Sequence, residues 1–513
     1  MKRDFLPIET LAAWAKLNSV TLCGVAIKRL QAGSGAEKGT GLVGTSLSEE
    51  RGLPPLAGSD GITPQTIIKV PAELVLSLET VENYAKSDRY LSDVLEAAGP
   101  IAKTTRGAVM IFLLIQMAHT SLALRGEHVG NANPWTEYIK FFPPIYRMPT
   151  FYSGEERELL QGTSLEPALN AKFDSLKREY ADFRERTEKI PWCKRDWYDE
   201  ETREMRVDEW ALADAIYRSR ALDLPGTGHA MVPCIDMVNH AAGDKTIARY
   251  DTDPEGNAVL QVCYGRQLRA DEEITITYGD DKGAAEMMFS YGFIEDNVTY
   301  THQVLLDLEI PDDDPLKPPK LAICDKAHGV RLFIQEEDDP VEWSSEFIWW
   351  MCVNEEDGLR FQVSQTTDGE RKLKAFWKRR EIEKYEDLEG ILAEDPMWDV
   401  FRLRAVVMLQ NRVHNQLELL LSSKEYVRGL VDTVDDNRIR RHIWDVCTKL
   451  RRLEEAFFIR TVADLEVKKT ELIALDTVSK YLKKQQSRND ADEDNEDDEV
   501  DEDDEDDEDD DYS

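Results

Sequence analysis

Hydrophobic and polar positions alternate with different periods along the chain, and the changes of period mark its elements. Apolar spacing at Leu11 to Lys16 predicts a short helix. Val20 to Leu30 (VTLCGVAIKRL) is rich in β-branched residues and predicts a strand. A glycine cluster follows (Gly33, Gly35, Gly39, Gly41, Gly44), then a loop around Pro54, Pro55 and Gly58, then a strand from Ile67 to Val70 that stops at Pro71. From Leu74 to about Lys189 the period is helical, interrupted at Pro143-Pro144. Trp210, Ala213, Ile216 and Tyr217 continue it in a helix over Val207 to Leu222, which Pro225 and Gly226 end. Between Met231 and Ile294 the pattern changes to short β runs, Ile247 to Tyr250, Val259 to Cys263 and Glu273 to Tyr278, parted by glycine and acidic turns. The region after His302 is mixed. From Trp398 to Lys484 the period is helical again. No internal repeat is visible. This order predicts an α+β chain with a helical insertion and a helical C-terminal part.

The 18 residues between Arg106 and Arg125 are uncharged. They contain Gln116, His119, Thr120 and Ser121, so the stretch reads as a buried core helix rather than a membrane span. Charge changes the picture elsewhere. The chain of 513 residues has a formal net charge of −38, and Asp490 to Ser513 holds 19 acids with no Lys or Arg. The remainder still carries 82 acids against 63 bases. Such a body argues against tight, non-specific binding to DNA or RNA, which needs clustered Lys and Arg to displace counterions, and it points toward basic partners. Seven widely separated cysteines with no C-x-x-C pair predict neither a disulfide framework nor a zinc ribbon. A reducing compartment follows, cytoplasmic with the nucleus left open. Lys378-Arg379-Arg380 is too short and too helical in its setting to serve as an import signal.

Two nucleotide motifs are excluded. Gly39-Thr-Gly-Leu-Val-Gly44 is followed by Thr45, where a phosphate-binding loop needs Lys. Gly33-Ser-Gly35 has Lys38 where a dinucleotide fingerprint needs its third glycine. What remains is a turn whose backbone can pass close to a ligand, because glycine has no Cβ.

Three pieces lie close together downstream. They are Ser219-Arg220 at a helix end, Val232-Pro-Cys-Ile-Asp236-Met-Val-Asn239-His240, and Asp271-Glu-Glu-Ile-Thr-Ile-Thr-Tyr278-Gly279 followed by Phe289-Ser-Tyr291-Gly-Phe-Ile294. Each alone reads as a turn, a strand end or a core aromatic. In this order, and with Gly39-Thr-Gly41, they resemble the SET-domain protein-lysine methyltransferases. The split arrangement resembles the Rubisco large-subunit methyltransferase type, which includes fungal enzymes acting on ribosomal proteins and elongation factors. The resemblance covers about residues 20–300, and in the insertion it rests on Trp135, Tyr138, Pro143 and Phe151.

The resemblance implies an α+β fold: a β-rich SET domain with a knotted cofactor loop, split by a helical insertion, then a mostly α-helical C-terminal domain and a disordered acidic tail. Its divisions are 20–72 and 206–300 for the SET parts, 73–205 for the insertion, 301–487 for a substrate-binding-like domain and 488–513 for the tail. It implies S-adenosylmethionine as cofactor and no metal. Tyr278 is the implied catalytic residue. Gly39, Thr40, Gly41, Arg220, Asn239 and His240 are the implied cofactor contacts. Ser219, Asp236, Tyr250 and Tyr291 are the implied walls of a lysine channel, and Phe289 is assigned no role. Two positions depart from the pattern: Ala241 stands where Ser is frequent, and Asp271 where Gly is. The implied partner is a basic protein, a ribosomal protein or translation factor before a histone, and the implied state is a monomer without membrane or nucleic-acid contacts. A non-catalytic SET-fold binding protein for basic clients is the rival expectation. An acidic histone chaperone would leave Asn239, His240 and Tyr278 unexplained.

Overall fold

The computed structural model describes residues 1, 3–31, 37–45, 64–121, 129–199, 204–324, 328–365, 371–431, 434 and 438–498. Gly33, Gly35 and the loop around Pro54, Pro55 and Gly58 lie outside them. The chain divides into two compact units. Unit 1 comprises Met1–Leu159, Leu165–Val298 and Asp436–Val446, and unit 2 comprises Leu160–Ser164, Thr299–Asp435 and Cys447–Ser513.

Among the described residues unit 1 holds ten strands: β1 (Thr21–Leu22), β2 (Val25–Gln31), β3 (Glu37–Gly44), β4 (Thr66–Val70), β5 (Ala221–Leu224), β6 (Gly228–Met231), β7 (Asn239–His240), β8 (Ala248–Thr252), β9 (Ala258–Val262) and β10 (Glu273–Ile276). One sheet has the order β1-β4-β9-β8 and the other β2-β3-β10-β7, with β5 and β6 as a separate hairpin. Strand β10 is the pivot. It pairs antiparallel with β3, placing Glu273 opposite Val43, and parallel with β7, placing Thr275 opposite Asn239 and Ile276 opposite His240. A parallel pair cannot be closed by a tight hairpin, so the chain between β7 and β10 must make a crossover, here through β8 and β9.

The helices between β4 and β5 follow the sequence pattern. Thr105–Thr120 is buried on every face from Gly107 to Ala118, which explains its uniform apolarity. Thr104 caps it by accepting the Gly107 N–H at 3.0 Å. No helix among the described residues is long and apolar enough to cross a membrane. Val207–Arg220 ends where β5 begins, which leaves Arg218, Ser219 and Arg220 on its last turn. Ala284–Tyr291 ends at Gly292 with φ +83°, and a Cβ there would meet the Arg147 backbone at 2.8 Å.

In unit 2 the mixed region after His302 resolves into two three-stranded sheets, β11 (Gln303–Asp307) with β12 (Gly329–Phe333) and β13 (Glu342–Ser344), and β14 (Leu359–Gln365) with β15 (Arg371–Trp377) and β16 (Arg380–Ile382). Lys378-Arg379-Arg380 therefore leads into a strand through a turn at Lys378 (φ +55°), not into the helix expected from the pattern. Long helices follow at Trp398–Ser422, Arg441–Ile473 and Asp476–Asp498. The last runs into the segment assigned to the acidic tail, and residues 499–513 lie outside the described residues.

Candidate active site

The pairing around β10 brings three distant motifs together. Asn239 donates from its amide Nδ2 to the Thr40 carbonyl at 3.2 Å and to the Glu273 carboxylate at 2.8 Å. A Cβ on Gly41 would fall 2.4 Å from the Leu30 side chain and 2.7 Å from Asn239 Nδ2, so only glycine leaves room for that amide. Gly39 has φ +100°, a conformation that favours glycine, with open space where a Cβ would be. His240 Nδ1 accepts the Tyr278 backbone N–H at 3.0 Å, which fixes the neutral ring with its proton on Nε2, 3.6 Å from Glu295. Burial lowers the His240 pKa, and Glu295 opposes this in part.

Tyr278 follows β10 by two residues. Its hydroxyl donates to the Val238 carbonyl at 2.7 Å. Its ring stacks on His240 (centroids 5.1 Å apart) and leans against Tyr291 (4.5 Å). Burial pushes the Tyr278 pKa up, so the phenol keeps its proton. Burial, with help from Glu286 and Tyr250, pushes Tyr291 up to about 12. Tyr250 sits in the middle of β8 opposite Leu260, within electrostatic reach of Tyr291. Tyr278, Tyr291 and His240 thus form one aromatic cluster, with Tyr250 within electrostatic reach of it. The Ser219 hydroxyl donates back to Ala215 at 2.8 Å within its own helix. Phe289 lies under the Arg218 guanidinium, 4.3 Å from carbon to ring centre.

The sequence placed Asp236 in the wall of a channel. Here its carboxylate is buried and engaged: Arg220 Nη1 reaches its Oδ2 and its backbone carbonyl, each at 3.2 Å, and the Tyr138 hydroxyl donates to Oδ1. Burial raises the Asp236 pKa, opposed by Arg220 and Tyr138. The Arg220 guanidinium lies 4.5 Å over the Phe142 ring, and its Nε is buried without a partner. Sequence reasoning gave no role to Glu273, Glu295 or Tyr138. Glu273 carries a signal in hindsight, as the acid that opens the strand β10. Glu295 carries none. No group of His, Cys, Asp and Glu among the described residues could hold a metal. A separate cavity of about 240 Å³, lined by Trp343, Trp349, Trp398 and Glu389 among others, lies in unit 2 and receives none of these residues.

No protein-family model matches the chain. Among curated proteins it is 25% identical over 354 residues to SET domain-containing protein 8 of Schizosaccharomyces pombe, covering 67% of this chain and 75% of that one. Among solved structures it superposes on the SET domain of LSMT bound to methyllysine and AdoHcy with a TM-score of 0.59 at 18% identity, covering 91% and 94% of the two chains. Its fold is the SET-domain fold of that structure. This SET-domain chain is also 30% identical over 212 residues to the pea Rubisco large-subunit N-methyltransferase, spanning 40% of itself and 42% of that enzyme. It is 23% identical over 324 residues to the actin-histidine N-methyltransferase of Gallus gallus, spanning 60% and 49%. The alignments to the pea and chicken enzymes thus cover under half of their length.

Proposed function

We infer that this SET-domain protein is a protein-lysine N-methyltransferase that uses S-adenosylmethionine. The observation that carries the reading is the convergence of Asn239, His240 and Tyr278 on one corner of a sheet, with a Tyr278 phenol that is protonated and anchored. The residues suit the cofactor: the glycine turn at Gly39 to Gly41 admits a close approach, and Arg220 has a buried N–H without an acceptor. Gly39, Thr40, Gly41, Arg220, Asn239 and His240 would hold it. When bound, it supplies an electrophilic methyl group on a sulfonium. The chain's own residues do the rest by placement. A lysine amine must be neutral to attack, and its ordinary pKa is about 10.4. Desolvation among Tyr250, Tyr278 and Tyr291 disfavours the ammonium. The Tyr278 hydroxyl, donating to Val238, turns its lone pairs toward the other side, where an amine N–H can be held. Alignment and preorganised dipoles supply the rate, and no strong base is required.

The substrate we propose is a basic protein of the translation machinery, met in the cytoplasm by a monomer. The net charge of −38 and seven cysteines without a disulfide support this setting. Because actin-histidine methyltransferases are among the relatives, histidine is the second acceptor to test. Calorimetry with S-adenosylmethionine and with its demethylated product, with and without chelator, tests the cofactor. Incubation with labelled cofactor and a lysate of its own cells, followed by peptide analysis, identifies the modified residue. Folded protein that gives no heat with either ligand returns the chain to the rival reading, a non-catalytic SET-fold binder. Methylhistidine without methyllysine replaces the acceptor and keeps the chemistry.

A further inference from the structure

Tyr138 belongs to the helical insertion, on the short helix Pro134–Tyr138, yet its hydroxyl reaches into the loop that precedes β7. It accepts the Cys234 backbone N–H at 2.7 Å and donates to the Asp236 carboxylate. Cys234 has φ +69°, which a residue with a Cβ adopts only when its surroundings impose it. One phenol therefore holds both the strained start of the loop turn and the acid two residues on. Asp236 in turn carries Arg220, whose Nη1 lies 3.2 Å from its carboxylate. The ring cannot swing away: Trp135 and Phe142 meet it edge-on with centroids 5.2 and 5.6 Å away, and Trp14 lies 4.7 Å from it. The titratable and charged groups facing the Asp236 carboxylate are Tyr138 from the insertion, Arg220 from the helix Val207–Arg220, Tyr146, Cys234 and Tyr278.

We propose that Tyr138 is a positioning residue for the cofactor: through Asp236 it sets where the Arg220 guanidinium stands, so the insertion takes part in building the cofactor site. With the phenol donating to one carboxylate oxygen, Arg220 is left the other oxygen and keeps its Nε uncommitted. Without the phenol both oxygens are open to the guanidinium, a bidentate pair becomes available, and Arg220 is drawn away from the cofactor side. This rests on the methyltransferase reading above.

The test compares the unaltered chain, Tyr138→Phe, Asp236→Asn and the double variant, each first checked for a cooperative thermal transition. Phe keeps the ring and its packing. We expect Tyr138→Phe to raise the Kd for S-adenosylhomocysteine about tenfold while the single-turnover rate at saturating cofactor stays within about threefold. Asp236→Asn should also raise the Kd, and the double variant should be no worse than the poorer single one, because both act along one route. A Kd unchanged by Tyr138→Phe, or losses that simply add in the double variant, overturns the proposal while leaving the methyltransferase reading in place. If the unaltered chain binds no cofactor, the reading fails and the proposal fails with it. Should Tyr138→Phe not fold, Asp236→Asn decides alone, and an unchanged Kd there overturns the proposal.

Discussion

Tyr278 has a hydroxyl with one anchor, the Val238 carbonyl, and a pKa that burial has raised. Those two facts make it a group that holds rather than one that takes a proton. Tyr278→Phe should keep cofactor affinity and lose transfer by about 100- to 1000-fold, as removal of one preorganised polar group at a reacting centre does. Single-turnover kinetics at saturating cofactor measure it, and a rate within a few-fold of the parent reduces Tyr278 to scaffold. His240 adds a pH signature. Its folded pKa lies below the ordinary 6.5, so above pH 6.5 the ring is neutral in both states and costs nothing. Below pH 6.5 the unfolded chain takes up the proton first, and stability falls as the pH drops. Thermal melts between pH 7 and 5 should therefore slope less steeply in His240→Gln than in the parent.

At the scale of elements, a side chain links β3 to β7 across β10, the Asn239 amide on the Thr40 carbonyl. Gly41→Ala puts a methyl group where that amide lies, so calorimetry should find cofactor affinity at least about tenfold weaker in a folded chain. Wild-type affinity would show that Asn239 does not need its observed place. In unit 2 the segment Leu160–Ser164 is held by two side chains of the long helix that follows Cys447: Glu454 accepts the Ser164 N–H at 2.9 Å, and Arg451 Nη1 donates to the Gln161 carbonyl. Burial raises Glu454 to about 7, against the Ser164 hydrogen bonds and Arg451. The folded state then favours the protonated acid, and its contribution, present below the unfolded pKa of 4.5, is lost as the pH rises to about 7. Glu454→Gln should be close to neutral at pH 5 and stabilising at pH 8, by up to about 3 kcal/mol, read from denaturant titrations. Much of this architecture was legible beforehand. An uncharged apolar stretch marked Thr105–Thr120, the period of 3.6 marked Val207–Arg220, and β-branched runs marked β2, β4 and β10. The six strands of unit 2 were not separable by pattern, because short strands such as β13 and β16 have only three residues in which to alternate. The Tyr138 link was hidden for another reason: it joins residues about a hundred positions apart, and local spacing carries no trace of it.

The whole molecule is an anion, and the run after Asp498 concentrates that charge. Truncation after Asp498 leaves every described helix whole. Methylation of a short peptide should be unchanged, while methylation of a basic full-length protein should slow, most at low salt, because a charged run acts on encounter and salt screens it. Initial rates at two ionic strengths measure this, and an equal loss on both substrates would assign the run a structural part.

The position of β10 between β3 and β7 has a consequence for how the protein is made. Val43 and Glu273 are register partners about 230 positions apart. At bacterial-to-eukaryotic elongation speeds a nascent chain waits on the order of ten seconds or more between the two. Throughout that interval the outer edge of β3, with its glycines, is an unfilled template for any passing strand. Nascent chains stopped by a premature termination codon in the insertion would keep that edge open for good, so quality control should meet them as sticky hairpins rather than as half-active enzymes.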